Sequence, residues 1–282
     1  MVTLLPPAAE IIYAIGAGDR LAGRSKWTRF PPRVASVPDV GDGMRPSVEA
    51  VLARRPDLVV MYAGGSNAAQ RDQLQAAGIR VLWLRHDTLE QLDQNIRAIG
   101  QALGCPDRAA VLAESVRADL EAVAGAVGGV RSSMTVYWDA WAEPLYTIGR
   151  GSYLDSLMTM AGAQNVFGDL TLPSPVVSLE AIIDRDPDHI ITTMPGYEEL
   201  PYEEKRQRAV ATLLRRPGWE AVPAVNRGAV IPVDGDLMGI LGPRTPLAAR
   251  ALAQALHPGL ELPESQTELV APAGACPGRD PQ

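Results

Sequence analysis

Cysteine, histidine and long apolar runs are scarce in this chain, and each scarcity closes off a class of protein. The two cysteines, Cys105 in a Leu-Gly-Cys-Pro turn and Cys276 in a Pro/Gly-rich tail, are too few for a Cys/His cluster; one bridge or two free thiols remain open. The three histidines are dispersed and make no metal site: His189 falls in a strand, His257 ends a helix, and only His86, beside Asp87 at a strand end, is placed to reach a ligand. No apolar run approaches the roughly 18 residues that cross a bilayer. There is no G-x-S-x-G elbow, no H-E-x-x-H and no P-loop. Gly16-Ala17-Gly18 begins a glycine run, but it follows a helical pattern instead of a strand, the reverse of a dinucleotide-binding context. A basic surplus is also missing. With 26 basic against 33 acidic residues the net charge is −7, which argues against a nucleic-acid surface while permitting a local basic pocket. The N-terminus shows no charged region or small-residue cleavage site ahead of Val2, an expectation of either a cytoplasmic protein or a chain that starts after a removed leader.

What is present is a duplication. Residues 47–62, SVEAVLARRPDLVVMY, come back at 178–193 as SLEAIIDRDPDHIITT, sharing Ser47/Ser178, Glu49/Glu180, Ala50/Ala181, Arg54/Arg185, Pro56/Pro187 and Asp57/Asp188. Each copy predicts a short helix capped by its Ser, broken ahead of its Pro and followed by a buried parallel strand. A unit used twice predicts two similar α/β lobes in one chain, with a cleft between them.

The rest of the chain fits that plan. Strands are expected at 2–5, 21–25, 80–85, 134–139, 145–148 and 229–233, alternating with helices at 8–17, 88–103, 152–163 and 244–256. A helical pattern over 106–127, roughly 33 Å long at 1.5 Å per residue, suits a rigid strut between lobes. The expected division is 1–104 for the first lobe, 105–131 for the connecting helix, 132–258 for the second lobe and 259–282 for an extended or disordered tail. In parallel sheets ligands gather beyond the carboxyl ends of the strands, which puts Tyr62, Arg85 and His86 on the binding side. The Pro-rich connection at 27–40 carries Trp27, and 235–242 is read as a Gly-rich turn.

Several of these stretches resemble one family. LLPPAAEIIYAIGAGDRLAGRS, FPP, VGDGMRPSVEAVLARRPDLVV, GSYLDSLMTMAGAQNVF, VVSLEAIIDRDPD and the Gly242-Pro243-Arg244 segment are together similar to the substrate-binding proteins of iron-siderophore and cobalamin ABC importers, over about residues 2–257. GGSNAAQRDQLQAAGIRVLWL is most similar to the cobalamin-binding members. The resemblance implies two α/β lobes joined by one long helix, little hinge closure, export to the periplasm or cell surface, and a monomer that meets a dimeric membrane permease.

It also assigns residues. Glu49 and Glu180 sit two residues past each Ser cap, where the helix dipole by itself favours an acid. In the family, an acid in this position on each lobe docks onto arginines of the permease, and a duplicated acid suits a symmetric partner. Trp27, Tyr62, Trp138 and Trp141 would offer flat apolar surface to a large planar ligand, whereas Trp83, mid-strand, reads as core. Trp27 and Tyr62 match aromatic positions that touch ligand in the cobalamin-binding members; where those members carry another aromatic, this chain has Gly43-Met44. Among Arg24, Arg29, Arg45, Arg85, Arg150 and Arg244, each at a strand end or loop, guanidinium forks suit carboxylate, phosphate or catecholate oxygens, with Arg244 in the matched segment and Asp236 on the loop before it. His86 would serve as an axial donor to haem iron or cobalt. The expected function is capture of a bulky metal chelate, a corrinoid first and a ferric siderophore or haem next, with no chemistry and no cofactor of its own. The competing class is a cytoplasmic two-domain α/β enzyme.

Overall fold

The computed structural model describes residues 1–129, 134–140, 143–193, 200–272 and Cys276. The described chain divides into two compact units. The first takes Met1–Asp119, Ile240–Arg244 and the described part of 266–282; the second takes Leu120–Gly239 and Thr245–Ser265.

The first unit runs β1 (Val2–Thr3), α1 (Pro6–Ala14), β2 (Gly23–Arg24), α2 (Val48–Leu52), β3 (Leu58–Tyr62), α3 (Ala68–Ala76), β4 (Arg80–Leu84) and α4 (Leu89–Leu103). Then comes α5 (Pro106–Gly128), within which the boundary between units falls. The second unit continues with β5 (Met134–Asp139), α6 (Tyr153–Met160), β6 (Ala163–Asn165), α7 (Leu179–Arg185), β7 (His189–Thr193), α8 (Tyr202–Leu213), α9 (Pro223–Asn226), β8 (Val230–Val233), α10 (Gly235–Met238) and α11 (Thr245–Leu256). Each unit holds one four-stranded sheet, all parallel, in the orders β2-β1-β3-β4 and β6-β5-β7-β8. In both, the outer strand comes second in the chain and the first strand pairs with the third, so the duplication seen in residues is a duplication of topology.

The repeated stretch folds the same way twice. Ser47 Oγ accepts the Ala50 amide and Ser178 Oγ the Ala181 amide, both at 3.2 Å, satisfying one of the free N–H groups at each helix start. α7 stops on left-handed Asp186, φ 37°, directly ahead of its proline, while α2 ends at Leu52 in a turn that reaches left-handed Arg55, φ 46°, just ahead of its own. A proline disfavours helical backbone in the residue before it, so Pro56 and Pro187 end the helix and release the apolar run into β3 and β7. In β3 only Tyr62, at the carboxyl end, is not fully buried. Val2, Val51, Val59, Met61 and Leu74 belong to the core of the first unit. Tyr137, Phe167, Ile190, Trp219 and Val225 are central to that of the second.

Three expected elements differ from the structure. Residues 145–148 form no strand; Tyr146 makes one antiparallel bridge, to Val176. The fourth strand of the second sheet is β6, which lies partly inside the helix expected at 152–163. The physical reason is Gly162: its φ of 79° stops α6, and Ala163 then pairs with Met134. Gly16, with φ 82°, stands between α1 and β2 in the same role, so the matching glycine stops extend the duplication. Residues 235–238, expected as part of a turn, form the short helix α10, because the Asp234 carboxylate accepts the amides of Asp236 and Leu237. The two cysteines form a disulfide, Cys105–Cys276, with Cα atoms 5.6 Å apart.

Candidate ligand-binding site

In the first unit three strands deliver candidate residues at their carboxyl ends. β3 ends on Tyr62, β4 leads into Arg85 and His86, and β2 leads into Trp27. Tyr62 and His86 meet edge to face, ring centroids 4.8 Å apart and planes at 88°. The Tyr62 hydroxyl donates to Asp87 Oδ1 at 3.0 Å, and Arg85 Nε donates to Asp87 Oδ2 at 2.9 Å. Asp87 thus ties together two residues that the sequence presents separately. Its own backbone is fixed: the Asp87 amide donates to Gln91 Oε1 at 2.6 Å, in the capping box that Thr88 and Gln91 form at the start of α4. Burial first, and Asp87 second, raise the Tyr62 hydroxyl above the ordinary phenol range.

His86 is half-buried and its Nδ1 is shielded from water with no hydrogen-bond partner. Burial lowers its pKa, more than the nearby Asp87 charge raises it. A neutral imidazole with one nitrogen unengaged has the chemistry of a metal donor. Gly64 keeps this corner open, since a Cβ there would sit 2.8 Å from the Tyr62 ring.

Trp27 is 53% exposed and stands on a loop anchored beneath it by buried Ser25 and Thr28. Arg24 staples that loop, its guanidinium donating to the carbonyls of Val34, Ser25 and Thr28. Arg24 therefore holds the Trp27 loop. The indole Nε1 donates to Asp42 Oδ2 at 3.4 Å, while Lys26 pairs with Asp42 at 3.2 Å and lies over the indole, 4.7 Å from its centroid. The Met44 amide, chiefly, holds the Asp42 carboxyl below its ordinary pKa. Gly43 explains the missing aromatic: a Cβ there would lie 2.1 Å from the Leu4 carbonyl oxygen, so the backbone passes where a side chain cannot. Met44 and Arg45 beside it are exposed.

Arg244 has a partner the sequence did not announce. Its Nε and Nη2 both donate to Oε1 of Glu10, at 3.0 and 2.6 Å, and its guanidinium lies 4.4 Å from the Phe30 ring centroid. Glu10 is only 3% exposed and its Oε2 has no partner. Burial raises the Glu10 carboxyl, more than Arg244 lowers it.

In the second unit Trp138 is 2% exposed within β5, its carbonyl accepting from Thr147 Oγ1 at 2.7 Å. Its ring is part of the interior, away from solvent. Asp236 is exposed on α10, and Trp141 lies outside the described residues. An unforeseen buried pair stands at the end of β5, where Asp139 accepts from Arg216 at 2.8 Å and from Thr192 at 2.9 Å. Arg150 donates to the Gly168 carbonyl and lines a cavity of about 620 Å³ along β6 with Arg185, Asp155 and Asp169. That cavity has no aromatic in its lining and holds none of the other candidates. Arg29 is exposed.

Glu49 and Glu180 are both exposed, each in the first turn of its helix. Its own backbone amide first, and the Ser178 hydroxyl second, hold the Glu180 carboxyl below its ordinary pKa.

Two parallel-sheet α/β units of one topology, with aromatic and charged groups gathered at the carboxyl ends of the first sheet, define a ligand-binding protein of the bilobed α/β class. Solved structures agree with this fold. The apo haem-binding protein RhuT from Roseiflexus sp. RS-1 matches with a TM-score of 0.80 and 27% identity, over 92% of this chain and 98% of that one. The vitamin B12-binding protein BtuF of Vibrio cholerae matches with a TM-score of 0.75 and 23% identity, over 90% and 95%. Among curated proteins, the vitamin B12-binding protein of Salmonella typhimurium is 30% identical over 256 residues, 91% of this chain and 89% of the relative. An uncharacterized ABC transporter substrate-binding lipoprotein of Bacillus subtilis, YvrC, is 30% identical over 264 residues, 92% and 80%. The model of the periplasmic binding protein family matches residues 1–237, and the chain belongs to that family.

Proposed function

We propose that the chain is the substrate-binding component of an ABC importer, working outside the cytoplasm, and that its ligand is a bulky metal chelate, a corrinoid first. The observation that carries this reading is the cluster at the carboxyl ends of the first sheet: exposed Trp27, and Tyr62 with His86 edge-on to it. A flat, largely apolar ligand loses water against such rings, and a few fixed polar groups then orient it. Arg45 and Arg85 are exposed enough to meet carboxylate or phosphate oxygens, whereas Arg244 reaches a ligand only while shared with Glu10. The names of two relatives, one binding vitamin B12 and one a substrate-binding lipoprotein of an ABC transporter, support ligand class and location. Glu49 and Glu180 are the proposed contacts to a two-fold permease, which a monomeric binding protein would approach with one acid from each unit.

Haem or a ferric siderophore is the second reading, favoured by the half-buried His86 imidazole beside the Tyr62 ring. An enzyme in the same fold is not favoured, since the family is one of binding proteins. Titrating the purified protein with cyanocobalamin, haem and a ferric catecholate while following tryptophan fluorescence tests the proposal. A saturable response to cyanocobalamin is expected. No response to any corrinoid removes the first ligand, and no response to any of the three removes the metal-chelate reading.

A further inference from the structure

After α11 the described chain forms no further helix or strand, yet it does not leave the protein. Residues 266–272 and Cys276 lie along the first unit and are bonded to it at successive points. Asp119, in α5 and 6% exposed, accepts the Gln266 amide at 2.9 Å and the Thr267 amide at 3.0 Å, and the Thr267 hydroxyl at 2.6 Å. Arg108 pairs with Glu268 at 3.3 Å. Further on, the Ala271 amide donates to the Tyr13 carbonyl at 3.2 Å, Arg33 donates to the Ala271 carbonyl at 3.1 Å, and Ala271 itself is buried. Arg20 bridges the last point, one guanidinium nitrogen on the Leu103 carbonyl at 2.7 Å and another on the Cys276 carbonyl at 2.6 Å. Leu103 ends α4 and Cys105 comes two residues later, so Arg20 holds the two cysteine-bearing segments side by side.

We propose that Cys105 and Cys276 are a redox modification site that locks this strap onto the first unit, and that the strap's hydrogen bonds to Asp119 and Arg20 bring the two thiols together before they oxidise. Effective concentration is the reason. The cysteines are 171 residues apart in sequence, and a flexible loop of that length seldom brings its ends into contact. Docking of the strap makes the reaction local. Asp119 is the strongest docking group, because a buried carboxylate that accepts two amides and a hydroxyl makes charge-assisted bonds.

The chemistry balances with one co-reactant. A thiolate of the pair attacks the disulfide of a dithiol–disulfide oxidant and releases one oxidant thiol; the second cysteine thiolate then attacks the mixed disulfide and releases the other. The pair loses two electrons and two protons, the oxidant's disulfide is reduced to two thiols, and one S–S bond forms as another breaks. Such oxidants belong to compartments outside the cytoplasm, so the lock closes where the proposed function places the protein. The inference stands on the first unit's geometry; the importer reading enters only through where the oxidant is met, and the test involves no ligand and no permease.

The full-length protein is equilibrated in reduced and oxidised glutathione mixtures, quenched by alkylation, and the fraction of Cys105–Cys276 disulfide is read by mass spectrometry. Asp119→Asn is expected to lower the disulfide equilibrium constant by roughly tenfold or more, the scale of losing bonds to a charged group. Thr267→Val, a change on the strap itself that leaves the unit's core untouched, should lower it by several-fold. Equal constants in wild type and both variants overturn pre-docking. Hydrogen exchange supplies the second readout. Reduction should speed exchange of the Gln266, Thr267 and Ala271 amides at least tenfold while leaving the β3 amides slow, and unchanged exchange at those three positions overturns the lock.

Discussion

A single side chain decides the ligand question most directly. Trp27 is half out of the protein and contributes little to its interior, so truncating it should leave thermal stability unchanged. If its indole packs on the chelate, Trp27→Ala should weaken binding by about 1–3 kcal/mol, measured as a rise in Kd by fluorescence or calorimetry. An unchanged Kd with an unchanged melting temperature assigns the residue to neither role. His86 yields a pH prediction whose sign comes from burial. Its folded pKa lies below the 6.5 of a free imidazole, so the unfolded chain binds the proton more readily. Stability is therefore unaffected well above pH 6.5 and falls as the pH drops below it. Glu10, raised by burial, has the opposite slope: its contribution is complete below the ordinary carboxylate pKa of 4.5 and is lost as pH rises through the folded value. Comparing melts of His86→Gln with wild type between pH 8 and pH 5 isolates the histidine: the variant should lose less stability on acidification.

Elements carried most of what the sequence could disclose. The Ser caps, the Pro stops and the apolar runs of β3 and β7 act on their immediate neighbours, so they can be read from spacing alone, and with them the carboxyl-end positions of Tyr62, Arg85 and His86. The features that escape such reading are set by contacts across the chain. Glu10 and Arg244 are 234 residues apart, and nothing local distinguishes Glu10 from a helix surface acid. Asp87 is visible in the sequence only as a neighbour of His86, although its carboxylate serves Tyr62 and Arg85 ahead of the Thr88 cap. β6, three residues long with Gln164 exposed, has too little alternation to announce itself. The capping serines can be tested directly. Since Ser47 and Ser178 cap their helices at the same 3.2 Å distance, each Ser→Ala substitution should cost about 1 kcal/mol. Chemical denaturation checks this. If each cap acts only on its own short helix, the two losses should add in the double variant.

At the scale of the whole molecule the duplicated acids test the partnership with a membrane permease. Glu49 and Glu180 are exposed at the starts of matching helices, and neither lies in the Trp27, Tyr62 and His86 cluster. Reversing both charges with Glu49→Lys and Glu180→Lys should abolish ligand uptake by cells while the purified protein keeps its Kd. A loss of affinity in the isolated protein would contradict the docking role, and unimpaired uptake would remove it. Chain order matters at this scale too, because Ile240–Arg244 and the segment from Gln266 belong to the first unit although they are made late. The opening half of this polypeptide is synthesised without the parts that finish it: Asp119 waits for Gln266 and Thr267, Glu10 for Arg244, Cys105 for Cys276. A growing chain is thus barred from completing its first unit until the residues from Gln266 to Cys276 have joined it.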